Sequence, residues 1–384
     1  IWLAPTRALA RSLADQLAPL LGRLGLRLAV ATGEHPDPAF GVERGDFDLL
    51  VAVYEKALHW LVRWPEGLAR VGLLIADELG MLRDPQRGPR LDILLTMAAR
   101  SPYAPRRLGL CAPGGEARAI APWWGGRLHE GVFDAADATF HWRARPGGES
   151  GTEPLAGPDE WQGLVRATHE AACAAGLEPT PQLVATLAAA VLLARRGEPT
   201  LLFAPTRRAA REWAGAVAAL LPPVATACAG DAARLARNEP CTDHDQLAYL
   251  LACGVACHHG DLSAAARRLA ETAFQRGDAV LMVATATLAH GLNLTARNVV
   301  QWPQGFIGDA RGRLLPSWLE RWRWHQQGGR AARLGLGEGT GRTFAVAGGA
   351  EEHTRLWRRY VLGTEPPMRG RFDARSAEML VLAG

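Results

Sequence analysis

The sequence predicts an α/β fold with mostly parallel sheets, and three observations carry that prediction. Short apolar runs alternate with longer amphipathic segments along the chain. The runs fall into two sets, divided by residues 145–160, which are rich in Gly, Pro, Ser and Glu and read as an exposed linker. Leu3-Ala4-Pro5-Thr6-Arg7-Ala8 is echoed by Leu202-Phe203-Ala204-Pro205-Thr206-Arg207, each a strand, a Pro-Thr-Arg turn and a helix start. Two units of this kind hold ligands at the carboxyl ends of their strands. The plainer account of the echo is two unrelated turns.

In chain order, buried strands are expected at residues 1–4, 28–31, 49–52, 71–76 and 107–110, each a short apolar run between polar or Gly-containing segments. The fourth run ends on the acidic pair Asp77-Glu78. The second set is expected at 200–204, 255–257, 280–284, 299–301 and 342–346. Trp318, Trp322 and Trp324 are assigned to an amphipathic helix, where the spacing of four between Trp318 and Trp322 favours core packing over base stacking. The domain reading is 1–144, linker 145–160, 161–350, and a further region from 351 to 384.

A chain of 384 residues with 48% hydrophobic and 21% charged residues suits a globular protein of about two to three domains. No apolar run reaches membrane-spanning length, and no basic stretch leads into an apolar one at the start, so a cytoplasmic location without membrane contact is expected. The six cysteines are scattered, as for reduced thiols. Cys253-x-x-x-Cys257-His258-His259 has metal-like letters, but it reads as helix, turn and strand, where small apolar side chains are wanted.

A net charge of +4 says little about partners. Of the 43 basic residues only Lys56 is lysine, and its neighbours Val53-Tyr54-Glu55 and Ala57 are not those of G-x-x-x-x-G-K-[ST]. The chain therefore contains no such phosphate loop. Yet Gly329-Arg330-Ala331-Ala332-Arg333, preceded by Gln326, sets two guanidiniums on one short segment. Guanidinium forks bind phosphate oxygens, and an acidic pair at a strand end can hold Mg²⁺ and orient water. Together they suggest a phosphoanhydride held between two domains.

Taken in order, Pro5-Thr6-Arg7-Ala8-Leu9-Ala10, Asp77-Glu78-Leu79-Gly80, His258-His259-Gly260-Asp261-Leu262, Ala284-Thr285 through Gly291-Leu292-Asn293-Leu294, and Gln326 through Arg333 resemble the motif series of superfamily 2 helicases, in the Ski-like DExH branch. The resemblance covers nearly the whole chain. It implies two RecA-like domains, an ATP site in their cleft and a nucleic-acid strand across their top, DNA ahead of RNA, in a monomer.

Carried over by position, Asp77 would hold the Mg²⁺ of ATP and Glu78 would polarise the attacking water. Arg330 and Arg333 would act as arginine fingers with Gln326 and Gly329 beside them, while Gly291 and Asn293 would link nucleotide and strand. Thr6, Arg7, Gly33, Glu55, Lys56, Thr206, Arg207, Thr285 and Thr287 would contact the nucleic-acid backbone, although each alone fits a cap or turn. Residues 303–313 lie where DNA-unwinding members carry a strand-separating hairpin, and Phe306 with Ile307 would form its wedge; an ordinary hairpin tip fits as well.

The resemblance also marks departures. Residues 1–4 look like the strand that follows the phosphate loop, and 356–362 and 379–382 like the entry into a winged-helix domain, so the chain is read as cut at both ends. Weak or absent ATP hydrolysis by this chain alone is the expectation. Gly80 stands where the family has His or Asp, and Cys111-Ala112-Pro113 where it has Ser-Ala-Thr; neither glycine nor proline offers a side-chain donor. An ATP-dependent helicase is the leading reading, and a non-hydrolysing helicase-like scaffold the alternative. A nuclease or other metal hydrolase lacks a supporting Asp/Glu/His cluster.

Overall fold

The computed structural model describes residues 1–33, 46–84, 87–111, 116–129, 142–143, 156–286, 288, 294, 296–308, 314–331, 341–347 and 349–363. These residues divide into two compact units, each built on a parallel sheet.

The first sheet contains β1 (Trp2–Ala4), β2 (Leu28–Ala31), β3 (Leu49–Val53), β4 (Leu73–Ala76) and β5 (Arg106–Gly109), in the order β2-β3-β1-β4-β5. All four pairings are parallel, so every strand delivers its carboxyl end to the same edge. The expected run 71–76 starts late, because Val71 closes the 3₁₀ turn Pro65–Arg70 by donating its N–H to Leu68 O at 3.0 Å. Apolar character alone did not separate that turn from the strand.

The second sheet runs β6-β13-β10-β7-β9-β8, again all parallel. Its members are β6 (Trp142–Arg143), β7 (Thr200–Ala204), β8 (Val255–His258), β9 (Leu281–Thr285), β10 (Asn298–Gln301) and β13 (Arg342–Ala347). Against it lies the helix Pro181–Arg195, buried nearly all round because alanines at 185, 188, 189, 190 and 194 let it approach closely. At the strand starts, Arg342 donates to Glu198 and, at 2.8 Å, to Asn298 Oδ1, tying β13 and β10 to the entry of β7.

The echoed segments adopt the same conformation. Thr6 (φ −139, ψ 155) caps the helix Arg7–Arg23, accepting from Leu9 N at 3.2 Å, and Thr206 (φ −139, ψ 163) caps Arg207–Ala218, accepting from Ala209 N at 3.0 Å. Each follows a strand flanked on both sides, β1 between β3 and β4, β7 between β10 and β9. The echo is therefore a structural repeat rather than a coincidence of turns.

Further sequence expectations are corrected. Trp318 is not helical: it ends β12 (Leu314–Trp318), which pairs antiparallel with β11 (Gln304–Gly308), and the helix starts only at Arg321. Its spacing of four from Trp322 spans a strand end and a helix start. Trp142–Arg143, read as part of the first domain, pairs with β13 through Val346 and Ala347. Residues 158–160 of the expected linker open the helix Pro158–Ala174, with Pro158 in its first turn and Asp159 and Glu160 beside the amino end.

The helix Ala350–Leu356 and the turn Trp357–Val361, read as the start of a further region, belong to the second unit. Leu356 and Tyr360 pack with Leu319, Trp324, Ala345 and Ala347. Residues 364–384 and 144–155 lie outside the described residues. Among those described, no helix is long and apolar enough to cross a membrane.

Candidate functional site

In the first unit β4 ends at Ala76 and delivers Asp77 and Glu78 to the carboxyl edge. Asp77 N–H donates to Leu3 O at 3.0 Å, so the pair begins where the ladder stops. Glu78 then takes φ 52, ψ 52, a left-handed conformation that costs a non-glycine residue roughly 1–2 kcal/mol. Its N–H donates to Asp77 Oδ1 at 2.8 Å, which fixes one oxygen of that carboxylate. Buried Leu79 and Met81 anchor the following turn, and Leu79 N–H reaches Leu110 O at 2.9 Å.

Tyr54, missed in the sequence, lies beneath this turn and donates its hydroxyl to the Asp77 carbonyl. Burial first, and then the charges of Asp77, Glu78, Glu55 and Cys111, hold that hydroxyl well above the ordinary tyrosine range, so it stays a donor. Its signal in the sequence was a polar aromatic directly after a buried strand.

The neighbouring strands bring the other first-unit candidates to the same edge. Thr6 and exposed Arg7 follow β1, Gly33 follows β2, and Glu55 with Lys56 follows β3. Gly33 has φ +79, and a Cβ there would stand 2.7 Å from Lys56 Cε, so a side chain would displace the single lysine. Arg87, also missed, donates to Pro5 O at 2.8 Å and approaches Glu55 at 3.9 Å. It thereby joins the turns after β1 and β3. Gly80 sits in the turn Leu79–Arg83 and Cys111 is half-buried, while Ala112 and Pro113 lie outside the described residues.

In the second unit Thr206 and Arg207 follow β7, Asp261 follows β8 and Thr285 ends β9, three adjacent strands. Asp261 accepts from Arg207 and, at 3.0 Å, from Arg211 Nη2; Arg211 also lies 3.7 Å from Asp243. Gly260 packs on the Arg207 guanidinium, where an added Cβ would meet it at 3.5 Å. His258 pairs with Glu271 at 2.9 Å, and buried His259 is held below the usual imidazole range, chiefly by burial and then by Arg211. Thr287, Gly291 and Asn293 lie outside the described residues.

Gln326 is half-buried on the helix Arg321–Gly328 and Gly329 is exposed. Arg330 is only 3% exposed, and its carbonyl accepts from Ala296 N at 3.1 Å, pinning this segment beside the chain that enters β10. Arg333 lies outside the described residues. Gly328, which the sequence reading passed over for Gly329, is the close approach: a Cβ there would come within 3.2 Å of Gln301 Nε2 and Thr343 Oγ1. Trp322 and Trp324 are buried, as core packing predicts, and Phe306 is 42% exposed in mid-strand opposite Pro316 rather than at a tip.

Among the described residues no cluster of three or more His, Cys, Asp or Glu could hold a metal by itself. Cys253 and Cys257 are buried free thiols packed in the apolar core of the second unit, and burial pushes Cys257 up to about 12. Mg²⁺ needs no such cluster, since it keeps several waters and binds through one or two carboxylates plus substrate phosphates.

A family model described as DEAD/DEAH box helicase matches residues 1–112, and one described as helicase conserved C-terminal domain matches residues 237–335. The chain is 32% identical over 321 residues to an ATP-dependent DNA helicase Hel308 of Pyrobaculum calidifontis, covering 83% of this chain and 42% of that protein. It is 28% identical over 401 residues to the Hel308 of Methanocella arvoryzae, covering 96% and 49% respectively. A third Hel308, from Thermoplasma volcanium, is 26% identical over 352 residues, 90% of this chain and 46% of the relative. The chain thus spans about half the length, or less, of these curated relatives.

Proposed function

The chain belongs to the DEAD/DEAH box helicase family, and we propose that it carries the motor of an ATP-dependent helicase that moves along or unwinds nucleic acid, DNA ahead of RNA. One observation carries the reading: a single sheet edge presents both the Asp77-Glu78 pair and, on the adjoining strands, Thr6, Arg7, Gly33 and Lys56. Hydrolytic groups and backbone-binding groups so placed move together when that edge moves.

Asp77 is proposed to hold Mg²⁺, its carboxylate oriented by the Glu78 amide and its main chain fixed from below by Tyr54. When bound, the ion supplies charge neutralisation on the nucleotide phosphates. Glu78, turned away from the strand by its left-handed backbone, orients the attacking water and accepts its proton. Arg330 supplies guanidinium charge for the transferring phosphoryl, and Arg333 does so by its spacing. Thr206, Arg207 and Thr285 contact phosphates at the second sheet's edge. A monomer working in the cytoplasm completes the proposal.

Glu78→Gln is expected to abolish nucleic-acid-stimulated ATP hydrolysis while single-stranded DNA binding persists. An unchanged hydrolysis rate would overturn the reading. Gly80 favours one second reading, a helicase-like scaffold that binds without hydrolysis, because it offers no side chain to link the acidic pair to the strand. Wild-type product that binds DNA with no stimulated turnover would select it.

A further inference from the structure

Tyr360, outside the proposed site, joins several elements of the second unit. It is 1% exposed, and its ring stacks on Trp324 at 4.2 Å between centroids and 17° between planes. Its hydroxyl lies 3.0 Å from Pro303 O and 2.8 Å from Leu319 O. Those two residues close the root of the β11–β12 hairpin, where Leu319 N–H also donates to Pro303 O at 2.8 Å. With one proton and two carbonyls in reach, the hydroxyl bridges both sides of the root.

A cation also lies by this ring: the Arg359 guanidinium sits 5.7 Å from the Tyr360 ring. Trp324 and His325 lie on the helix Arg321–Gly328, which carries Gln326 and leads directly into Arg330. One phenol therefore touches the hairpin root by its oxygen and the arginine-bearing helix by its face. On the strand side of the root, Trp302 packs edge-on against Trp213 at 5.3 Å, on the helix that begins at Arg207. A root braced from both sides moves as a solid piece.

We propose that Tyr360 is a positioning residue that joins the β11–β12 hairpin to the helix carrying Gln326 and Arg330, so that strain at one is transmitted to the other. This rests on the helicase reading, in which Arg330 senses the nucleotide and the hairpin meets the nucleic acid. The aromatic stack supplies the lever and the hydroxyl the catch. Tyr360→Phe keeps the stack and removes the catch alone, so it separates transmission from core stability.

The test is hydrogen exchange of the 384-residue chain, read by mass spectrometry, with and without a forked DNA duplex. Without DNA, Tyr360→Phe is expected to speed exchange at the hairpin root, in peptides around Leu319, roughly fivefold, as for one lost hydrogen bond. Far-UV circular dichroism should stay unchanged. An unaltered root exchange overturns the catch.

With DNA, wild-type protein is expected to slow exchange in both the hairpin and residues 321–331, and Tyr360→Phe in the hairpin alone. Retained slowing of 321–331 in the variant overturns the transmission. If DNA protects neither segment in the wild type, the nucleic-acid reading falls, while root exchange without DNA still decides the catch.

Discussion

Asp261 holds two guanidiniums, Arg207 and Arg211, much as a phosphate would. Such an exposed cluster contributes at most about 1 kcal/mol to stability, so its removal leaves the fold intact. It does compete with any phosphate that approaches Arg207. Asp261→Asn is therefore expected to tighten single-stranded DNA binding a few-fold in fluorescence anisotropy; weaker binding would instead make Asp261 a support that aims Arg207. Buried acids weaken the fold on the alkaline side. Burial pushes Cys257 and Tyr360 each up to about 12, and holds Tyr54 well above its ordinary value. The folded chain keeps protons that the unfolded chain releases above about 8.5 for Cys and 10 for Tyr, so stability is full below those values and falls as pH rises through the raised ones. The expected slope is about 1.4 kcal/mol per pH unit for each group. Urea midpoints measured from pH 7 to strongly alkaline solution check this, and a midpoint that holds or rises contradicts it.

Helix starts show how one local device carries two duties. Thr206 caps Arg207–Ala218 at the proposed nucleic-acid edge, whereas Thr226 caps Ala227–Asn238 with the same geometry, accepting from Ala229 N at 3.2 Å. Replacing either by alanine is expected to cost about 1 kcal/mol in chemical denaturation. Only Thr206→Ala should also weaken DNA binding. Equal binding losses in both variants would reduce Thr206 to a cap. The repeated Pro-Thr-Arg turn was legible because a threonine before a helix and an apolar run before a proline are both local signals. Trp318 was misplaced for the opposite reason: its strand is defined by pairing with Gln304 across a hairpin, a contact that helical spacing cannot reveal.

Across the chain the excess of +4 charge is small, so binding should depend on where arginines stand rather than on net field. Backbone contacts release counterions, and the logarithm of affinity for an oligothymidine should fall linearly with the logarithm of salt. Arg207→Ala is expected to reduce that slope by about 1, as is Lys56→Ala; an unchanged slope would remove that residue from the phosphate contacts. The sequence by itself determined where ten of the strands fall and the repeated strand-turn-helix start, because strand patterning and turn chemistry act over a few residues. Only the tertiary structure decided that β6 joins the second sheet, that Tyr54 and Arg87 support the acidic edge, that Asp261 engages Arg207, and that Tyr360 ties the hairpin to the arginine helix. Each of these joins residues far apart in the chain, and their meeting depends on burial and parallel strand packing rather than on any local preference of the residues themselves.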